Sequence, residues 1–251
     1  MQVGAVFPQL EIGTDPDAVA AYALYGYLAA ITARLKLATA VIVLPQRQTA
    51  LVAKQAAEVD VLSRGRVILG VGIGWNRVEY EALGQSFTNR GRRIEEQVAV
   101  LRALWTQEIV DLSGRWHRID RAGLSPLPVQ RPIPVWLGGG WDRQKRAIVE
   151  PVVRRIARIA DGWFTHVPAN DEGRAGMEAF RRLVEEEGRD PAKVPVEGRL
   201  PAAKSGPEEW RRGIETFRQM GMTSVELNTM GAGYRSLDEH LDALRRFKEL
   251  I

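Results

Sequence analysis

Cysteine is absent from the 251 residues, which excludes disulfides, thiolate metal sites and a cysteine nucleophile. Charge of one sign is scarce. Thirty-five Lys and Arg against 31 Asp and Glu leave a net +4. That balance helps to hold an anionic ligand but gives no sign of nucleic-acid binding, because no basic block alternates with aromatics. Apolar runs are far shorter than the ~20 residues of a membrane span, so no membrane association is expected. The opening "MQVGAVFPQ" reads as a strand rather than a cationic leader, and a cytoplasmic protein is the expectation. No low-complexity linker divides the chain, so residues 1–251 read as a single domain. No metal spacing and no Ser-His-Asp ordering stands out.

What is present is a strand-then-helix alternation. Apolar, β-branched runs predict strands at 2–9, 36–45, 66–74, 133–140, 161–167, 194–200 and 224–230. Between and after them, helical spacing predicts helices at 14–35, 49–63, 90–105, 149–160, 175–189, 207–221 and 237–250. Asp15 followed by Pro16 is a helix-start signal. Residues 109–120 read as a hairpin around Ser113-Gly114, outside the main repeat, followed by a proline-rich connector. Near-continuous apolar strands alternating with helices predict a parallel sheet with helices outside. An open doubly wound sheet and a closed eight-fold barrel are both compatible. A length near the ~250 residues of such barrels and the unbroken alternation favour the barrel.

Several strands end in chemistry that faces one edge. The run "GRVILGVGIGWN" closes on Gly70, Gly72 and Gly74, then Trp75 and Asn76. "PVWLGGG" closes on Gly138, Gly139 and Gly140. Glycines there either let a ligand approach backbone closely or only make tight turns. No Gly-Lys-Ser/Thr follows the first cluster, so it is not a P-loop. Trp75 stands where a dinucleotide fingerprint needs its third glycine.

The block "LATAVIVLPQRQTALVAKQAAEVDVLSRGRVILGVGIGWNRVEYEALG", with "RGRRIEEQVAVLRALW", "PIPVWLGGG", "RIARIADGWF" and "ELNTMGAG", resembles the luciferase-like monooxygenase superfamily. The likeness is greater to its branch of oxidoreductases that use coenzyme F420, a 5-deazaflavin. The resemblance implies a (β/α)8 TIM barrel with the cofactor at the C-terminal face. It implies a non-prolyl cis peptide at Ala40-Val41 beside the ring, with Gly72, Gly74, Trp75 and Asn76 lining the cofactor. The backbone of Gly138, Gly139 and Gly140 would hold its phosphate, glycines at a strand end making an anion nest. The implied reaction is hydride transfer between F420 and a small organic substrate. FMN is the alternative, in a two-component monooxygenase served by a separate flavin reductase, or in a barrel that binds flavin without catalysis. A homodimer, with an F420 or flavin reductase as indirect partner, belongs to the same expectation. One departure stands out. The family has a further βα unit, on the order of 40 residues, between its first two helices. Here the sequence passes directly from Ala23 to Leu24. That leaves seven expected strands and no assignable catalytic acid or base, and a chain break at Ala23-Leu24 is the favoured expectation.

Single polar residues leave alternatives open. His166 ends a strand and either faces the site or caps a loop. His117 reads as a surface residue of the hairpin, and His240 as a solvated residue among acids. Trp75 either stacks on a cofactor or enters the core. Arg47, Arg143, Lys145 and Arg146 either attract an acidic ligand or form a solvated face.

Overall fold

A computed structural model describes residues 1–5 and 21–251. The strands are β1 (Gln2–Ala5), β2 (Leu37–Ala38), β3 (Ile42–Val43), β4 (Val67–Gly72), β5 (Val110–Ser113), β6 (Arg118–Ala122), β7 (Val135–Gly138), β8 (Trp141–Asp142), β9 (Ala147–Ile148), β10 (Gly162–Phe164), β11 (Val196–Pro201) and β12 (Ser224–Asn228). The helices are α1 (Ala21–Ile31), α2 (Thr49–Ser63), α3 (Arg77–Ala82), α4 (Arg90–Thr106), α5 (Glu150–Ile159), α6 (Asp171–Glu186), α7 (Pro207–Gln219) and α8 (Leu237–Lys248). None of the described helices is long and apolar enough to cross a membrane. The chain divides into a central unit, Ala20–Gly138, and a terminal unit, Met1–Val19 with Gly139–Ile251.

In the central unit β4 is the axis. It pairs in parallel with β2, β3 and β7. Leu37 opposes Val67 while Ile42 opposes Val71, so the register shifts by one residue between β2 and β3. That is a bulge. Thr39 fills the gap it leaves. Its buried hydroxyl donates to Gly70 O (2.7 Å) and accepts from Gly70 N–H (2.8 Å), replacing the missing ladder bonds. Behind the sheet, α2 presents Ala53, Ala56 and Ala57, all fully buried. Trp105 of α4 is buried with them, its indole N–H donating to Ala53 O (3.0 Å). Helix α2 stops at Arg64 and Gly65, both at positive φ, where Gly65 N–H returns to Asp60 O (2.9 Å).

In the terminal unit β1, β12, β11 and β10 run parallel in that order. Residues alternate strictly. Gly198 and Leu200 of β11 face the helices, where a Cβ on Gly198 would stand 2.6 Å from Phe217. Glu197 and Arg199 face the other way. Helix α8 opens with a capping box: Ser236 accepts from Glu239 N–H (3.3 Å), and Glu239 accepts from Ser236 N–H (3.1 Å).

Three expectations need correction. Ala23 and Leu24 are consecutive residues inside α1, so the chain is continuous there. Residues 32–36 then lead directly to β2. The missing unit is missing from the chain itself. A six-residue helix, α3, follows β4, and a second antiparallel hairpin, β8–β9, precedes α5. Neither was expected. The β5–β6 hairpin is present, with Gly114 N–H donating to His117 O (2.8 Å). The helix-start signal at Asp15-Pro16 and the strand end at Phe7-Pro8 lie outside the described residues.

Candidate functional site

The peptide Ala40–Val41 is cis. It carries Val41 to a position where the glycines of two strands meet it. A Cβ added at Gly72 would stand 2.8 Å from Val41 Cγ2, and one at Gly138 would stand 2.8 Å from Val41 Cγ1. Gly74, at φ +64°, makes the same close approach to Val43 Cγ1 (2.8 Å). The glycine ladder therefore has a structural occupant: the two valines of the bulged segment. Val41 nonetheless keeps 38% of its surface exposed, and Trp75 keeps 86%, so Trp75 is not a core residue. Asn76 caps α3. It accepts from Val78 N–H (3.1 Å) and donates to Glu79 (3.0 Å).

The remaining glycines belong to the terminal unit. Gly140 (φ +88°) admits α5, since a Cβ would stand 2.7 Å from Val153. Gly139 (φ +107°) has open space on its α-carbon. Its N–H donates to Phe164 O (3.2 Å) and its carbonyl accepts from the Trp163 indole (2.8 Å).

Just beyond, the β8–β9 hairpin, the ends of β10 and β11, and the start of α6 line an open cavity of about 410 Å³. Trp141 forms one wall. Arg143, Arg146, His166 and Arg199 line it, against one acid, Glu172, which is ion-paired to Arg146. The hairpin turn is fixed by Asp142, whose carboxylate accepts from the N–H groups of Gln144 (2.9 Å) and Lys145 (3.0 Å). Lys145 points to solvent and does not line the cavity. Desolvation by the walls, together with Arg199 and Arg143, holds the His166 imidazole below its ordinary value. The ring is still exposed, so the two guanidiniums are the firmer part of that cause.

Beneath the cavity the same sheet face carries two carboxylates. Glu226 of β12 is 5% exposed and ion-paired to Arg199, its neighbour on β11. Glu197, two residues before Arg199, stands opposite Ser224, and its Oε2 lies beside Glu226, the two acids 3.6 and 3.2 Å from a Cβ placed at Gly4. Burial, with Glu226 alongside, pushes the Glu197 carboxyl up to about 7. Sequence reasoning assigned neither acid. The available signal was a lone Glu inside each of two otherwise apolar strands, "VPVEGRL" and "SVELNTM".

Two histidine expectations are corrected. His240 is 1% exposed and bonds Thr229 (2.8 Å), because it shares the buried face of α8 with Ala243 and Phe247. His117 is largely buried between Glu96 (2.7 Å) and Thr49 (2.6 Å). Burial opposes ionisation of Glu96, but hydrogen bonds from His117 and from the Trp116 and Arg115 N–H groups outweigh it and hold the carboxyl low. These contacts pin the β5–β6 hairpin to α4. Among the described residues no group of three or more His, Asp or Glu is placed to hold a metal ion.

The chain is similar to an uncharacterised protein of Mycobacterium tuberculosis, with 37% identity over 168 residues, 67% of this chain and 55% of that one. It is similar to an FMNH2-dependent dimethylsulfone monooxygenase of Pseudomonas putida, with 34% identity over 142 residues, 55% of this chain and 37% of that one. It thus spans about half the length, or less, of these curated relatives. Among solved structures, the monooxygenase RslO1 from Streptomyces bottropensis superposes with a TM-score of 0.77 at 20% identity, over 99% of this chain and 86% of that one. The coenzyme F420-dependent tetrahydromethanopterin reductase from Methanopyrus kandleri gives 0.73 at 14%, over 92% and 86%. The fold is therefore the α/β barrel class of these enzymes, with one βα unit absent from this chain. The family profile described as luciferase-like monooxygenase matches residues 10–249, and the chain belongs to that family.

Proposed function

We propose that this protein is an F420-dependent oxidoreductase that transfers a hydride between the deazaflavin and a small organic substrate. One observation carries the choice of cofactor: the terminal-unit cavity is lined by three arginines and a histidine, Arg146 paired to the one lining acid, Glu172, and Arg199 to Glu226 behind the wall, which leaves the lining cationic. Such a lining suits a ligand with several negative charges, and the acidic tail is what distinguishes F420 from FMN. Gly139 N–H is bonded within the sheet, so Arg143, Arg146 and Arg199 supply the anion-holding donors in this reading. Gly138 and Gly140 complete the turn. In the central unit, Ala40, Val41, Gly72, Gly74, Trp75 and Asn76 are assigned to the ring, with exposed Val41 and Trp75 offering apolar surface.

F420, when bound, supplies the carbon that gives or takes hydride. The protein's part is to hold the anionic tail, keep the ring against an apolar wall and move the accompanying proton. A homodimer and a cytoplasmic location belong to the same proposal. A second reading, an FMNH2-dependent monooxygenase with a separate reductase, is favoured by the 34% identity to the Pseudomonas putida enzyme. A barrel that binds flavin without catalysis is favoured by the absent βα unit.

The readings separate by titration with F420 and with FMN at low and high salt. Micromolar F420 binding that weakens steeply with salt, and more steeply than any FMN binding, is the expected result. Tight FMN binding with none for F420 supports the monooxygenase instead.

A further inference from the structure

The half-buried Glu197 and the buried Glu226 are used by no step above, yet they lie directly behind the cavity's third arginine. Two acids and one guanidinium make an unbalanced trio. Arg199 is 22% exposed by side chain and reaches the cavity, while Glu226, its ion-pair partner, is 7% exposed. Glu197 lies beside Glu226 on the neighbouring strand, both against Gly4, and one of two carboxylates that close retains a proton.

We propose that Glu197 and Glu226 act as one unit that sets how strongly the Arg143–Arg146–Arg199 cavity grips the phosphate or carboxylate end of a ligand. With one shared proton the trio is neutral, and Arg199 attracts an anion. With both acids ionised the trio carries a net negative charge, which opposes the anion. Glu226 thus also positions the guanidinium, fixing it at the cavity wall through their ion pair. The inference rests on reading the cavity as an anion site.

Among the described residues, the groups that face the trio are as follows. From the segment after β10 comes His166, and from β11 Glu197 and Arg199 themselves. From β12 come Glu226 and the neutral Ser224. From β1 comes Gly4, where a Cβ would stand 3.2 Å from Glu226 Cβ, so no charge enters from that strand. Across the cavity lie Arg143, Arg146 and Glu172. His166 is held below its ordinary value while Glu197 is raised to about 7, and Glu197→Gln, which leaves His166 in place, separates the two contributions. Because Glu197 is raised, the proton is present below that value and lost above it, and anion affinity falls as pH rises.

Sulfate is a suitable probe, since it keeps its two charges throughout this range. Its affinity is measured by calorimetry at pH 6.5 and 8.5, at constant ionic strength. The expected result is a fall of about fivefold in the wild type, the scale of one added charge at partly screened range. Glu197→Gln, an uncharged stand-in for the protonated acid, is expected to abolish the fall. Glu226→Gln gives the same test should the first variant fail to fold. Arg143→Gln is expected to weaken binding at both pH values and keep the fall. Sulfate that binds with the same affinity at both pH values, or a fall that persists in both glutamine variants, overturns the inference and leaves the anion site standing. No sulfate binding at either pH overturns both.

Discussion

Alanine at Gly72 or Gly138 is expected to destabilise the protein by about 1–3 kcal/mol each, the usual cost of overpacking a filled site. Most of that cost is expected to vanish when Val41 is also alanine. Each new methyl would stand 2.8 Å from a different γ-carbon of the same valine. A β-branched side chain cannot turn away from both at once. Neither glycine has positive φ, so no backbone strain adds to the steric contact. Denaturant unfolding of the single and double variants checks this as a double-mutant cycle. Equal losses with and without Val41→Ala would show that the glycines answer to something else.

Arg66→Met is expected to cost about 3 kcal/mol or more. One guanidinium donates to Ala29 O (2.9 Å), Thr32 O (2.8 Å), Leu35 O (2.7 Å), Thr32 Oγ1 (2.9 Å) and Ser63 O (2.7 Å). It satisfies the carbonyls at the C-terminus of α1, which have no partner within the helix, and ties them to the start of β4. Charge-assisted bonds contribute about 1.5–3 kcal/mol each when a single one is removed, and losses within one network do not add. Lysine is expected to restore less than half, because a single ammonium cannot span the fork. Unfolding free energies measured in urea give the comparison. A loss below about 1 kcal/mol would mean that α1 is held by packing alone. The contact matters for the whole chain, since α1 runs through Ala23-Leu24, where the family carries a further unit.

What the sequence conveyed about the fold followed signal length. Strand β4 and helices α2 and α4 are long and periodic, and their apolar faces are the observed core. Strands β8 and β9 have two residues each, too short for any period. Helix α3 was missed although Asn76 and Glu79 stand at cap spacing; the resemblance had given Asn76 to the ring. His240 was misread through its acidic neighbours Asp238 and Glu239, whereas its spacing to Ala243 and Phe247 marks a buried face. The cis peptide at Ala40–Val41 came from family resemblance, not from composition or spacing. The Glu197–Glu226–Arg199 trio depends on the pairing of two strands, and register between parallel strands is not written in either strand alone. Alternate glycines do mark close approach. That the approaching group is Val41 depends on how β4 and β7 pack against the bulged segment, which neither strand's sequence encodes.

The proposed preference for F420 is tested most directly by the identity of what the protein takes up when both cofactors are offered together. Purified protein is equilibrated with equimolar F420 and FMN at low ionic strength and freed of unbound ligand, and the retained cofactor is then identified by absorbance spectrum and mass. The account predicts F420 in clear excess, with the excess reduced when Arg143 and Arg199 are replaced by glutamine. FMN retained in place of F420, or an F420 excess unaffected by removing both arginines, would contradict it.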